Sequence, residues 1–124
     1  ALMFLPGGMP GTLNLGASAL VTDEVRRRSA AGQPLAAICA APSILAEHGA
    51  LQARHATANP GFMDAIAAGG ALMSEAAVVR DANLITSRGM GTATELGFEI
   101  IRLLLGDDAE QVVARVKQGI VYQR

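Results

Sequence analysis

Thiol is scarce in this chain: its 124 residues include one cysteine, Cys39. No internal disulfide can form. A lone thiol fits a reducing compartment, so the cytoplasm is the expected location. Clustered positive charge is scarce too. The net charge is −1, and the only basic run, Arg26-Arg27-Arg28, reads as the solvated face of a surface helix. Nucleic acid is therefore not an expected partner, because phosphate binding needs clustered Lys and Arg. No apolar run reaches the ~20 residues that cross a bilayer, so no membrane partner is expected. The first apolar run stops at Pro6-Gly7 without a basic flank, unlike a signal peptide. One Cys and two poorly placed His argue against a metal site. An initiator methionine is missing as well. The chain opens inside Ala1-Leu2-Met3-Phe4-Leu5, and a chain that starts within a strand reads as a piece of a longer polypeptide.

Apolar residues are plentiful, at 51%, which is ample for a buried core, and the length suggests one domain. Residues 1–5 read as a buried strand stopped by Pro6-Gly7-Gly8. The stretch from Gly7 to Gly16, rich in Gly, Pro and Asn, reads as a loop. Ser18 is placed to cap a helix running to about Ala31, with Gly32 and Pro34 as its stop. Leu35-Ala36-Ala37-Ile38 is a second apolar strand, and a helix follows at once, from about Ala40 to His48. Pro42 is compatible with its first turn, where the missing N–H had no partner.

Residues 54–58 read as a short strand, and Gly61 to Ala68 as a short helix. Two strands, 76–80 and 83–86, flank a turn at Asp81. Leu96, Ile100, Leu103 and Leu104 recur at helical spacing, which predicts a helix over 93–105. Thr92 with Glu95 forms a capping box, and Asp107 with Glu110 repeats it before a last helix to about Lys117. Strands alternating with helices imply parallel pairing with right-handed crossovers. Strands that are apolar throughout fit a sheet covered on both faces.

In such sheets, sites lie beyond the carboxyl ends of the strands. Three loops qualify: Pro6-Gly7-Gly8, Cys39-Ala40-Ala41 and Ser87-Arg88-Gly89-Met90-Gly91. Cys39 ends a strand just before a helix, whose free N–H groups and partial positive charge favour a thiolate. The small neighbours Ala36, Ala37, Ala40 and Ala41 suit a cramped turn, mechanically similar to a nucleophile elbow. The backbone N–H groups of Gly8 and Ala40 are candidate oxyanion donors. On this local pattern alone, a buried structural cysteine is the favoured reading.

No histidine is placed as a base. His48 is roughly 13 Å along the same helix, at 1.5 Å per residue. His55 starts its strand, at the wrong edge. Asn59 and Pro60 sit at the right end, but an amide cannot take a proton at neutral pH. The glycine pairs match neither the P-loop nor the dinucleotide fingerprint. An anion at the helix start near Thr92, helped by Arg88, is a further option.

Three segments in order carry a family resemblance: Leu5-Pro6-Gly7-Gly8-Met9-Pro10-Gly11, Ala36-Ala37-Ile38-Cys39-Ala40-Ala41-Pro42, and Leu84-Ile85-Thr86-Ser87-Arg88-Gly89-Met90-Gly91-Thr92-Ala93. Together they resemble the ThiJ/PfpI superfamily, in the branch of the parkinsonism-associated protein deglycase. The ending Gly119-Ile120-Val121-Tyr122 resembles that branch's bacterial, YajL-like members. The resemblance implies an α/β fold: a flavodoxin-like three-layer sandwich with a mostly parallel sheet, like that of class I glutamine amidotransferases, here lacking its first strands and first helix. Residues 1–124 would form one such domain, its C-terminal two-thirds.

The resemblance also implies a catalytic Cys39 that peroxide oxidises, with Gly8 and Ala40 as backbone donors and Gly7, Asn59, Pro60, Arg88 and Gly89 lining the site. It implies no cofactor, a small aldehyde or glycated substrate, a homodimer, and possible contact with misfolded proteins. Family activities include glyoxalase action, repair of glycated molecules and redox-dependent chaperoning. Three departures stand out. The family's glutamate that hydrogen-bonds the cysteine has no match here. Asn59 stands where the deglycase branch has a histidine. Met90 replaces a usual proline.

A cysteine-dependent protein acting on reactive aldehydes or their adducts is thus the leading expectation, in defence against oxidative and carbonyl stress. A redox-sensing chaperone without turnover is the alternative. An amidotransferase-like hydrolase ranks last, because neither His48 nor His55 begins the required His-x-Glu.

Overall fold

The computed structural model describes residues 1–123. Its elements in chain order are β1 (Met3–Leu5), α1 (Gly11–Ala17), α2 (Ala19–Ala31), β2 (Leu35–Ile38), α3 (Pro42–Glu47), β3 (His55–Ala56), α4 (Met63–Ala68), β4 (Leu72–Met73), β5 (Val78–Asp81), β6 (Leu84–Ser87), α5 (Ala93–Leu105) and α6 (Ala109–Gly119). The main sheet has the order β1-β2-β6-β5. Its first three strands are parallel, and β5 runs antiparallel to β6. The exception follows from chain length. Only Ala82 and Asn83 separate β5 from β6, and two residues close a hairpin but cannot make a crossover.

β2 is the buried centre of the sheet, with all four residues inaccessible. Successive side chains of a strand point to opposite faces. Leu35 and Ala37 accordingly join Val25, Ile44, Leu45 and Ile66 beneath α2, α3 and α4. Ala36 and Ile38 join Ile85 and Leu96 beneath α5. An apolar strand is thus required on both faces, and the result is a three-layer, mostly parallel α/β sandwich. Among the described residues no helix is long and apolar enough to cross a membrane.

Ser18 caps α2 by accepting the Val21 N–H at 3.4 Å, and Gly32 ends it at φ 68°. Arg26 and Arg27 of the basic run form a solvated ion-paired face, whereas the Arg28 side chain is largely buried and also donates to the Ala1 and Pro34 carbonyls. Arg26 bonds Asp23, while Arg27 and Arg28 both bond Glu24. The Arg27 hydrogen bond, helped by Arg28, pulls the Glu24 carboxyl down to about 2.

Several expectations need correction. The stretch 7–16 is not all loop. Residues from Gly11 form α1, because Thr12 and Asn14 donate to the carbonyls of Gly8 and Pro10 at 2.8 and 3.1 Å. Thr12 is 3% exposed, so packing prevails over poor helix propensity. The strand expected at 54–58 shrinks to β3, paired with a strand, β4, that the sequence pattern did not suggest. Neither capping box forms as such. No side-chain cap bond starts α5 or α6, because a tight 3-10 turn precedes each and displaces its first residue. On α5, Leu104 is half exposed, and Phe98 takes the buried place instead. Phe98 meets Tyr122 edge-on at 5.1 Å, with the Lys117 ammonium 5.2 Å from its ring centre, which docks α6.

Asp81 ties the small sheet to the large one. Its carboxylate accepts the His55 backbone N–H at 2.8 Å and faces Arg54 at 3.5 Å. The His55 N–H, then Arg54 and the His55 ring, hold this carboxyl below the usual carboxylate range. A carboxyl lowered by folding contributes stability above its unfolded pKa and loses that contribution as pH falls through its folded pKa. Asp81→Ala should cost about 1.5–3 kcal/mol at pH 7, the scale of a charge-assisted hydrogen bond. The gap from wild type should close on acidification below pH ~4, as read by urea unfolding across pH.

Candidate active site

The carboxyl ends of β1, β2 and β6 meet at one edge of the sheet. Leu5 lies opposite Ala37, and Ile38 lies opposite Ser87. The next residues, Pro6-Gly7-Gly8, Cys39 and Arg88-Gly89-Met90, therefore leave the sheet side by side.

Cys39 has φ 66°, in the left-handed region that L-residues with a Cβ rarely occupy. Its neighbours hold it there. Its N–H donates to the Ser87 carbonyl at 3.0 Å, and its carbonyl accepts the Asn59 N–H at 2.9 Å. A strained residue persists when its surroundings fix it from several sides, and such residues concentrate at functional sites. Gly7 completes the enclosure. A Cβ at Gly7 would stand 2.6 Å from the Cys39 Cβ and 2.8 Å from the Ile38 carbonyl. Only glycine lets the two loops approach so closely.

Cys39 is half-buried and opens into a depression of about 370 Å³. Gly7, Gly8, Ile38, Gly89, Met90 and Ala93 line the rest of it. No ionisable side chain other than Cys39 is among these residues. Gly8 turns at φ 94° and gives its carbonyl to Thr12, while its N–H donates to no described protein atom. The Ala40 N–H likewise has no described protein acceptor. These two donors are uncommitted beside the thiol.

Other residues considered from the sequence form a supporting shell. Asn59 clamps the site from behind: its backbone holds Cys39, its side-chain amide donates to the Arg88 carbonyl at 3.3 Å, and its Oδ1 accepts the Gly61 N–H at 3.2 Å. Pro60 begins a 3-10 turn after Asn59 and is not part of the depression's lining. Arg88 is committed elsewhere. Its Nε donates to the Ala58 carbonyl at 3.0 Å and its Nη1 to that of Glu75 at 3.4 Å.

The loop leading into α5, considered for an anion, turns its backbone donors inward. The N–H groups of Arg88 and Gly89 point at Thr92 Oγ1, at 3.2 and 3.1 Å. Thr92 Oγ1 also lies 2.7 Å from Ser87 Oγ, which donates to the Ala77 carbonyl. This hydroxyl hub fixes the third loop. The histidines are distant in role: His48 accepts from Arg26 at 2.9 Å, and His55 pairs with Asp81.

Fold and site together define an α/β protein that presents one cysteine on a strained strand-to-helix turn. The DJ-1/PfpI family profile matches residues 1–103, and the chain belongs to that family. It is 40% identical over 114 residues to Protein dj-1beta of Drosophila melanogaster, covering 92% of this chain and 61% of the relative. The crystal structure of Drosophila melanogaster DJ-1beta superposes with a TM-score of 0.87 at 36% identity, covering 99% of this chain and 64% of that one. The glutathione-independent glyoxalase DJR-1.2 of Caenorhabditis elegans is 31% identical over 107 residues, covering 86% of this chain and 56% of the relative. The chain thus spans about three-fifths of the length of these relatives.

Gly7→Ala tests the geometry of the turn. Overpacking against Cys39 should destabilise the protein by about 1–3 kcal/mol. It should also change the rate at which iodoacetamide labels Cys39, followed by intact-mass spectrometry. A variant that melts and labels like wild type would mean the two loops are not in close contact.

Proposed function

We propose that this protein is a cysteine-dependent glyoxalase-type enzyme that acts on small reactive aldehydes. The observation that carries this reading is the strained Cys39, flanked by the uncommitted N–H groups of Gly8 and Ala40, at a depression whose lining among the described residues holds no other ionisable side chain. Similarity to a relative named as a glutathione-independent glyoxalase supports the same substrate class.

In this reading the Cys39 thiolate adds to the aldehyde carbon of a 2-oxoaldehyde. A C–S bond forms, and the carbonyl electron pair moves to oxygen. The Gly8 and Ala40 N–H groups stabilise that oxyanion, in a place where backbone dipoles need no reorganisation. Protonation gives a hemithioacetal. A proton then moves from the former aldehyde carbon to the neighbouring carbonyl carbon, which converts the adduct to a 2-hydroxy thioester. Water releases the 2-hydroxy acid and regenerates the thiol. Among the described residues the lining of the depression holds no carboxylate or imidazole, so none of these residues carries that proton. The glutamate implied by the family resemblance has this role and no counterpart among these residues.

Methylglyoxal consumption by wild type and Cys39→Ala is the direct test. The variant should lose at least about a hundredfold in rate, the scale of removing an essential nucleophile. Equal rates would overturn the proposal.

A further inference from the structure

Resting on the aldehyde reading, we propose that Met90 is the specificity residue of the site, selecting uncharged aldehydes that carry an apolar, preferably aromatic, substituent. The composition of the lining points to it. Gly7, Gly8, Gly89 and Ala93 offer backbone or a single methyl group. Cys39 is the reacting group, and Ile38 is 8% exposed and locked into the core beneath α5. Among the described lining residues Met90 has the one long side chain that is not packed, 95% exposed at the rim of the depression. Its backbone is set by the Thr92 hub through Gly89 and Arg88. A fixed root with an unpacked side chain makes an adjustable apolar wall.

Three physical consequences follow. A hydrocarbon group next to the reacting carbonyl removes water from the exposed thioether arm, which favours binding in proportion to the area covered. The sulfur adapts to irregular shapes and makes favourable contacts with aromatic rings. Among the described residues no cationic side chain lines the depression, and the nearby Arg88 guanidinium is held by two carbonyls. A substrate carboxylate finds no partner among them.

The experiment compares wild type, Met90→Gln and Met90→Leu. Glutamine keeps the length of the side chain but ends in a polar amide. Leucine keeps the apolar character. Two readouts are taken on the whole protein. One is the ratio of kcat/KM for phenylglyoxal over glyoxal. The other is the ratio of Cys39 alkylation rates for N-benzyl-iodoacetamide over iodoacetamide, by intact-mass spectrometry, which needs no turnover. Met90→Gln should lower both ratios about five- to tenfold, the scale of losing one apolar contact in a pocket, and Met90→Leu should restore most of the loss. Unchanged ratios in Met90→Gln, or a Cys39 that neither benzyl nor simple reagent labels, would overturn the assignment. If neither aldehyde is consumed yet the alkylation ratio falls, Met90 stands as the apolar wall beside Cys39, while aldehyde selection and the glyoxalase reading fail. If both aldehydes are consumed and the ratios do not move, the reverse holds.

Discussion

The site depends on one constraint: Cys39 is held in a left-handed backbone conformation that its side chain disfavours. The two hydrogen bonds that hold it reach different parts of the chain, the end of β6 through Ser87 and the segment after β3 through Asn59. Gly7 then brings the end of β1 into contact with it. Three strands separated by tens of residues must be in register before this turn can close. The local cost, on the order of 1–2 kcal/mol for a residue with a Cβ in this region, is borne by the cooperativity of the sheet. In return, the thiol stands at the mouth of a depression rather than inside the core.

The polar residues around the turn serve that placement rather than the chemistry. Thr92 gathers two backbone N–H groups and the Ser87 hydroxyl at the head of α5. Arg88 spends its guanidinium on carbonyls of the neighbouring segments. Thr86 Oγ1 accepts the Thr57 N–H at 2.9 Å, fastening the chain after β3 to β6. What remains exposed around the thiol is glycine backbone, small side chains and Met90. Such a wall offers shape and apolar contact, and in the proposed reaction the developing charge falls to the N–H groups of Gly8 and Ala40.

Sequence pattern made the strands and the edge legible, because both arise from local composition. Continuous apolar runs of four or five residues ended by Pro6-Gly7 and by the turn at Cys39 are too short for buried helices and read as buried strands, and parallel pairing then brings their ends together. The same pattern was silent where long-range contact decides. Helix α1 has weak propensity and exists through the packing of Thr12 and Gly16 on its neighbours. β4 has two exposed residues and no periodicity to reveal it. Thr92 looks like half of a capping box, yet its hydroxyl faces back toward Ser87. Asn59 and Arg88, which the family resemblance implies as lining residues, are both turned to backbone groups that no spacing rule connects to them. Positive φ at Cys39 was foreshadowed only by the small residues around it.

The most direct test of the strained turn is the unfolding free energy of Cys39→Gly against Cys39→Ala, measured by urea denaturation. Both variants remove the thiol, so the comparison sets the left-handed strain of a Cβ at position 39 against the greater unfolded-chain entropy of glycine, and the strain is the larger. The account predicts that Cys39→Gly is the more stable by about 1 kcal/mol, because glycine occupies the left-handed region without penalty. Equal stability, or a more stable Cys39→Ala, would contradict it.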